Sequence, residues 1–276
     1  MTVRVATLTR YPVKSMLGER LEQADLDAAG LPLDRRYGLL DATTGFVATA
    51  KHPRLWRRLL QYSATTADDR VRVTAPDGRT RDVDDPRLVD ELTADLGRAV
   101  TVAASRAAGS AVERPDPEDV LEHGVEATVA APTLEIAQGS AADTFVDYAP
   151  VHLITTATLD RIGVDPVRYR PNLVLDTGPD TATDTEADAA PFAETDWVGR
   201  ELAVGDAVLR VVLPTPRCSV PTLEHGDLPR APEALRPLLS GNRIEVPGFG
   251  VLPCAGVYAE VVRGGTVRRG DAVTLR

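Results

Sequence analysis

The chain has 276 residues, 43% of them hydrophobic, with 31 basic and 41 acidic side chains and a formal net charge of −10. That length supports one large or two modest domains, each able to bury a core. The acidic balance excludes a general nucleic-acid binder, which needs a basic stripe. No apolar run approaches the ~18 residues of a membrane-spanning helix, so a cytoplasmic chain without membrane contact is expected.

Strand signals begin at once. Apolar and polar residues alternate from Val3 to Leu8. No basic segment followed by a long apolar run precedes them, so no signal peptide is expected. RYGLLD turns at Thr43-Thr44-Gly45 into FVATA, a hairpin pattern. RRLLQYSATT and DRVRVTAPDGRTRDV read as further strands, with Pro76-Asp77-Gly78 as a turn. Leu88 to Gly97 has apolar residues at helical spacing and a terminal glycine, so a short helix is predicted. The strand AVTVAAS closes this half.

A stretch rich in Ala, Gly, Pro and acid follows, and a domain boundary is placed near residue 110, dividing 1–110 from 111–276. TATLDRIGVDPVRY suggests a helix capped by Thr156 or Thr158. RPNLVLDT reads as a buried strand, and the polar, acidic stretch 177–191 as a loop. DWVGRELAVGDAVLRVVLPTPRCSV is strand, turn, strand; EALRPLLSGN is a helix ending at Gly241; the C-terminal segment is expected to form a hairpin around Gly264-Gly265. Two Gly-Asp turns in similar settings suggest two corners of one barrel. Together these patterns predict a mainly β chain, two β-barrel-like domains with a few short helices.

Only Cys218 and Cys254 are present, with four scattered histidines. That excludes a disulfide framework, a CxxC zinc site and a four-cysteine iron–sulfur cluster. Cys218 ends an apolar strand and enters a proline-punctuated loop, beside Arg217, which favours a thiolate. A thiolate is a soft ligand that suits a metal held among sulfur donors; the plainer reading is a small buried hydrophobe. Cys254 lies in an apolar strand and reads as structural.

Lys14 and Ser15 stand where a strand ends. Lys14 and Lys51 are the only lysines in an arginine-rich chain. A lysine beside a hydroxyl can bind phosphate or a pterin carbonyl, or simply be a solvated strand end. Arg170 and Asn172, at the mouth of RPNLVLD, offer a guanidinium and an amide that suit a pterin edge. In Asp34-Arg35-Arg36, one arginine can face a pocket while the other pairs with an acid. His152, flanked by apolar residues, reads as a core histidine. P-loop, GxGxxG, GxSxG and HExxH motifs are absent.

RYPVKSMLGERL, LDRRYGLLD, TAKHPRL, RPNLVLD, DWVGRELAVGD, PRCSVPT and VRRGDAVTL occur here in that order. In this the chain resembles the MOSC family, proteins with an N-terminal MOSC β-barrel domain and a C-terminal MOSC domain. The resemblance spans about Val3 to Arg276 and includes the mitochondrial amidoxime-reducing component and its bacterial counterparts. It implies a pyranopterin molybdenum cofactor with Cys218 as metal ligand. Lys14, Ser15, Arg36 (Arg35 if the register differs by one), Arg170, Asn172 and Arg217 would hold phosphate and pterin. It carries a family-level association with pyridoxal phosphate as well.

The implied activity is two-electron reduction of N-oxygenated small molecules by oxygen-atom transfer. No ferredoxin-type segment is visible, so a separate electron-donor protein of reductase, cytochrome or ferredoxin type is expected. Glu194 and Asp196 lie near the family's acidic motif, and the alternative reading of both is structural. Two other functions fit the same resemblance. One is a sulfur or cofactor carrier with a persulfide or cofactor on Cys218; the other is a molybdenum-free binding or biosynthetic role.

Overall fold

A computed structural model of the chain describes residues 3–68, 70–178 and 190–276. Its centre is a closed ring of seven strands. In ring order these are Val151–Thr155, Leu173–Asp176, Val3–Arg10, Ala272–Leu275, Glu201–Val204, Ala207–Pro216 and Gly250–Arg263, which returns to Val151–Thr155. Every pair is antiparallel except Val151–Thr155 with Leu173–Asp176. A parallel pair needs a crossover, and Thr156–Ile162 and the 3-10 turn Pro166–Tyr169 supply it.

The strand Val3–Arg10 belongs by order to the first half of the chain, yet it closes the barrel of the second. The register slips between Val5 and Thr7, where Val5 faces Leu175 and Thr7 faces Val174. Strict alternation would not put both Val5 and Leu8 inside. The irregularity does, and both are 1% exposed in the barrel core with Leu153, Leu173, Leu209 and Val257.

The first half packs its own core. Val13, Met16, Leu39, Trp56, Leu59, Val71, Val73, Leu88 and Leu92 meet beneath short ladders. The ladders are Ser63–Ala67 with Arg70–Thr74 and Thr80–Asp82, and Gly38–Asp41 with Val100–Ala103. The helix predicted over 88–97 forms as Pro86–Leu96. The Asp85 side chain accepts from Arg87 N–H at its start, and Gly97 ends it at φ 68°.

Several sequence expectations change in the fold. RRLLQ is a 3-10 turn, Arg57–Gln61, which buries Leu59 in the core of the first half and Leu60 against Cys218, Val220 and Leu223; only Ser63–Ala67 of that segment is strand. The turn after Asp41 forms, but FVATA makes a single bridge, Leu40 to Val47, and Gly38–Asp41 takes Val100–Ala103 as its partner strand. Thr155, not Thr156 or Thr158, caps the crossover helix, accepting from Thr158 N–H. The predicted loop 177–191 lies mostly outside the described residues.

The hairpin expected around Gly264-Gly265 does not form. Gly265–Arg268 pairs with Gln23–Leu26 of the first half. A Cβ on Gly264 would stand 2.6 Å from the Leu26 carbonyl oxygen, and one on Gly265 would stand 2.6 Å from the Asp206 backbone. These glycines allow backbones to cross, where a turn was expected. The two Gly-Asp turns do meet: a Cβ on Gly205 would lie 2.3 Å from Asp271 Oδ2.

Replacing Gly264 by alanine is therefore expected to lower the urea midpoint, costing about 1–3 kcal/mol for a side chain forced into a filled contact. An unchanged midpoint would mean that the crossing tolerates a side chain.

Candidate functional site

Strand ends and loops from both halves meet in one cleft at a rim of the barrel. It encloses about 700 Å³ of empty space, part of it open to solvent. Lys14, Ser15, Arg170, Asn172, Arg217 and Cys218, chosen from the sequence, all line it. Arg36 does not: its guanidinium reaches outward to Asp143 at 2.8 Å. Arg35 lines the cleft in its place, so the second motif reads one residue earlier than expected. The alternation of a short turn aims one arginine in and the next out.

Three of these residues hold left-handed backbone without being glycine: Ser15 at φ 65°, Arg35 at 45° and Arg170 at 54°. Such conformations cost about 1–3 kcal/mol each and collect at functional sites. Here packing holds them. Ser15 Oγ accepts from Ala50 N–H at 3.1 Å. Arg35 pairs with the buried Asp34 and donates to the Arg170 carbonyl at 2.9 Å. Asp34 also accepts from Tyr11 N–H at 2.7 Å. Both the Arg35 and Arg170 guanidinium carbons stand 4.4 Å from the Tyr11 ring centroid, an arrangement that favours cations.

Six basic side chains, Lys14, Arg35, Lys51, Arg168, Arg170 and Arg217, face one carboxylate, Asp147. The only two lysines of the chain converge on that carboxylate. Lys14 Nζ lies 2.6 Å and Lys51 Nζ 2.9 Å from Asp147 Oδ1, and Lys14 also donates to the Phe145 carbonyl at 2.8 Å. Burial pulls the Lys14 ammonium down to about 8, with Asp147 opposing and Lys51 reinforcing the shift. Asp147 itself stays well below the usual carboxylate range, because the two ammonium groups outweigh its burial.

The basic groups do different work. Arg168 and Arg217 are spent on backbone. Arg168 donates to the carbonyls of Leu223 at 2.7 Å and Pro229 at 2.6 Å, propping the loop after Cys218. Arg217 donates to Ala255 O at 2.9 Å and 2.6 Å and to Tyr169 O at 3.3 Å, and it meets His152 Nε2 at 2.6 Å. Burial, and then the charges of Arg217 and Arg35, drive His152 far below the usual histidine range. Its ring is thus neutral, and Nε2 accepts from Arg217. His152 is buried as expected, but it also forms the back of the cleft.

Asn172 lines the cleft, while its amide ties strands together. Its Oδ1 accepts from His152 N–H at 3.1 Å and its Nδ2 donates to Thr9 O at 3.2 Å. Among the described residues of the cleft, Arg170 is the unspent cation. Its NH1 is buried without a partner, and burial together with Arg35 lowers its guanidinium to about 10. A buried, unpaired donor is costly, and an anion would satisfy it.

Cys218 is 9% exposed and faces this cleft. Cys254 is fully buried, its thiol pushed up to about 12 by burial. Glu194 is buried as well, accepting from Thr155 and Thr158 hydroxyls at 2.9 and 2.8 Å, which makes it structural; Asp196 is exposed. Among the described residues no group of three or more His, Cys, Asp or Glu could hold a bare metal ion. A metal in this cleft would have to bring its other ligands with it.

Sequence reading missed Lys51, Asp147, Tyr11 and also Tyr258, which lines the cleft. The scarcity that singled out Lys14 applies equally to Lys51. Asp147 is one of 41 acidic residues and carries no such signal.

With two lysines, ¹³C-lysine NMR resolves each. Lys14 is expected to titrate near 8, and Asp147→Asn to lower that value, since the carboxylate holds the proton on. A Lys14 midpoint above 10 would refute this environment.

Comparison with known proteins places this geometry. A model of the MOSC N-terminal beta barrel domain matches residues 2–114, and one of the MOSC domain matches residues 142–274. No curated protein matches the chain. Among solved structures, the YUAD protein from Bacillus subtilis is 12% identical with a TM-score of 0.42, covering 100% of this chain and 96% of that one. YiiM from Escherichia coli is 15% identical with a TM-score of 0.29, over 46% and 54%. YiiM from Geobacillus stearothermophilus is 16% identical with a TM-score of 0.30, over 62% and 74%. With both domain models matched in order along it, the chain belongs to the MOSC family.

Proposed function

We propose that this chain is a molybdenum-cofactor-dependent reductase of N-oxygenated small molecules. MOSC domains are associated with molybdenum-cofactor binding. The observation that carries the proposal is the concentration of six basic side chains in the cleft that Cys218 lines, in a chain whose net charge is −10. Such a cleft suits an anionic group that carries its own metal ligands and needs one more.

Arg170, with its orphan donor, and Lys14 would hold the cofactor phosphate. Arg35, stacked on Tyr11, adds charge beside them. Ser15 and Thr49 offer hydroxyls on the same wall. Cys218 would provide the protein's thiolate ligand to the metal. When bound, the cofactor supplies two-electron oxygen-atom-transfer chemistry. An N–OH group reduced this way takes up two electrons and two protons and releases water. The electrons come from a separate donor protein. The walls orient the substrate.

The decisive experiment measures molybdenum and oxidised-pterin fluorescence in wild type and Cys218→Ala, made in a cofactor-competent host. Near-stoichiometric metal in wild type, lost in the variant, is the expected result. Well-folded wild type with no metal and no pterin, but with a Cys218 persulfide, would replace the reductase with a sulfur carrier.

Phosphate binding gives a second check on the metal-free protein. Arg170→Gln is expected to weaken it roughly tenfold or more, the worth of one charged hydrogen bond. Affinity should fall as pH rises through about 8, where Lys14 loses its charge. Binding that ignores both the variant and the pH would remove this anion site.

A further inference from the structure

Beside the cationic cleft lies a second chamber with about 390 Å³ of empty space, part of it open to solvent. Lys51, Asp147 and Tyr258 are common to both, so the two spaces adjoin. Their chemistry differs. The cleft has six basic groups against one acid. The chamber has Lys51 and Arg114 against Asp147 and Glu135, a balanced set.

Its other walls are apolar. Tyr148 meets Phe249 edge to face, ring centroids 6.0 Å apart at 78°, and Tyr258 at 5.8 Å. Tyr258 continues the series to His152 at 5.7 Å, at the back of the cleft. Leu134 and Leu213 complete the surround. Tyr148, Phe249 and Leu134 are only half-buried. Aromatic surface facing empty space lacks dispersion partners, and a flat ring would supply them.

We propose that this chamber receives the uncharged aromatic group of the substrate, while the polar N–O head passes Lys51, Asp147 and Tyr258 to reach Cys218. The inference rests on the reductase reading for the identity of the head group. The charge contrast sorts the two ligands: the anionic cofactor is drawn to the cationic cleft, and a neutral aryl group loses least by desolvation in the balanced chamber.

The probes are benzamidoxime, which carries a ring, and acetamidoxime, which does not. Binding is read by saturation-transfer NMR on metal-free and loaded protein, and KM on loaded protein. Wild type is expected to favour benzamidoxime by about tenfold or more, the discrimination an apolar pocket gives. Phe249→Ala, which opens the chamber, and Leu134→Trp, which fills it, should each bring that ratio close to one. Circular dichroism reports that each variant is folded, and cofactor content that it is loaded.

Equal affinity for both probes, or a ratio that neither variant changes, would overturn the chamber while leaving the reductase intact. Pterin lost from folded Phe249→Ala would give the chamber to the cofactor and overturn it too. Phe249-dependent benzamidoxime binding without turnover in metal-loaded protein would support the chamber and sink the reductase.

Discussion

The pairing of Val3–Arg10 with Leu173–Asp176 on one side and Ala272–Leu275 on the other is the constraint on which the rest depends. Without it the barrel of the second half has two open edges, each a row of unpaired amides and carbonyls. With it the ring closes, Val5 and Leu8 enter the core, and the chain leaves the barrel at Tyr11. Lys14 and Ser15 then lie a few residues beyond a rigid strand end, on the rim where Arg217 and Cys218 emerge. A second crossing, Gly265–Arg268 against Gln23–Leu26, ties the halves again.

This architecture explains how one cleft draws groups from positions 14, 35, 51, 147, 170 and 218. It also explains why the cleft can hold so many like charges. Two of its arginines are neutralised in effect by backbone carbonyls, which order the loop after Cys218 and the wall behind it. One carboxylate is shared by both lysines. What remains uncompensated among the described residues is Arg170, stacked with Arg35 on Tyr11 and held in a backbone conformation that costs energy. Strain and unpaired charge thus coincide at the place where an anion would relieve the second.

The differences between expectation and structure have identifiable causes. The terminal hairpin failed because paired glycines have two uses, turning and close crossing, and local sequence does not separate them. FVATA lost its strand because Gly38–Asp41 found a partner some sixty residues on, in Val100–Ala103. Arg36 and Arg35 exchanged roles because neighbouring residues in a turn point apart, and only the packing of Tyr11 and Asp34 selects which one is inside. In each case a long-range contact overrode a local signal.

Legible in the sequence were the mainly β class, a helix over 88–97 ended by Gly97, and the cleft residues at distinctive motifs, Lys14, Ser15, Arg170, Asn172, Arg217 and Cys218. Those features rest on periodicity, capping chemistry and residue scarcity, all of which are local. The tertiary structure alone decided that the first strand completes the second barrel, that Lys51 and Asp147 join the site, and that Arg217 and Asn172 brace it from behind. It alone set a neutral aromatic chamber beside a cationic cleft. The physical reason is that charge balance, burial and partner choice are properties of groups brought together across the chain, and no window of sequence contains them.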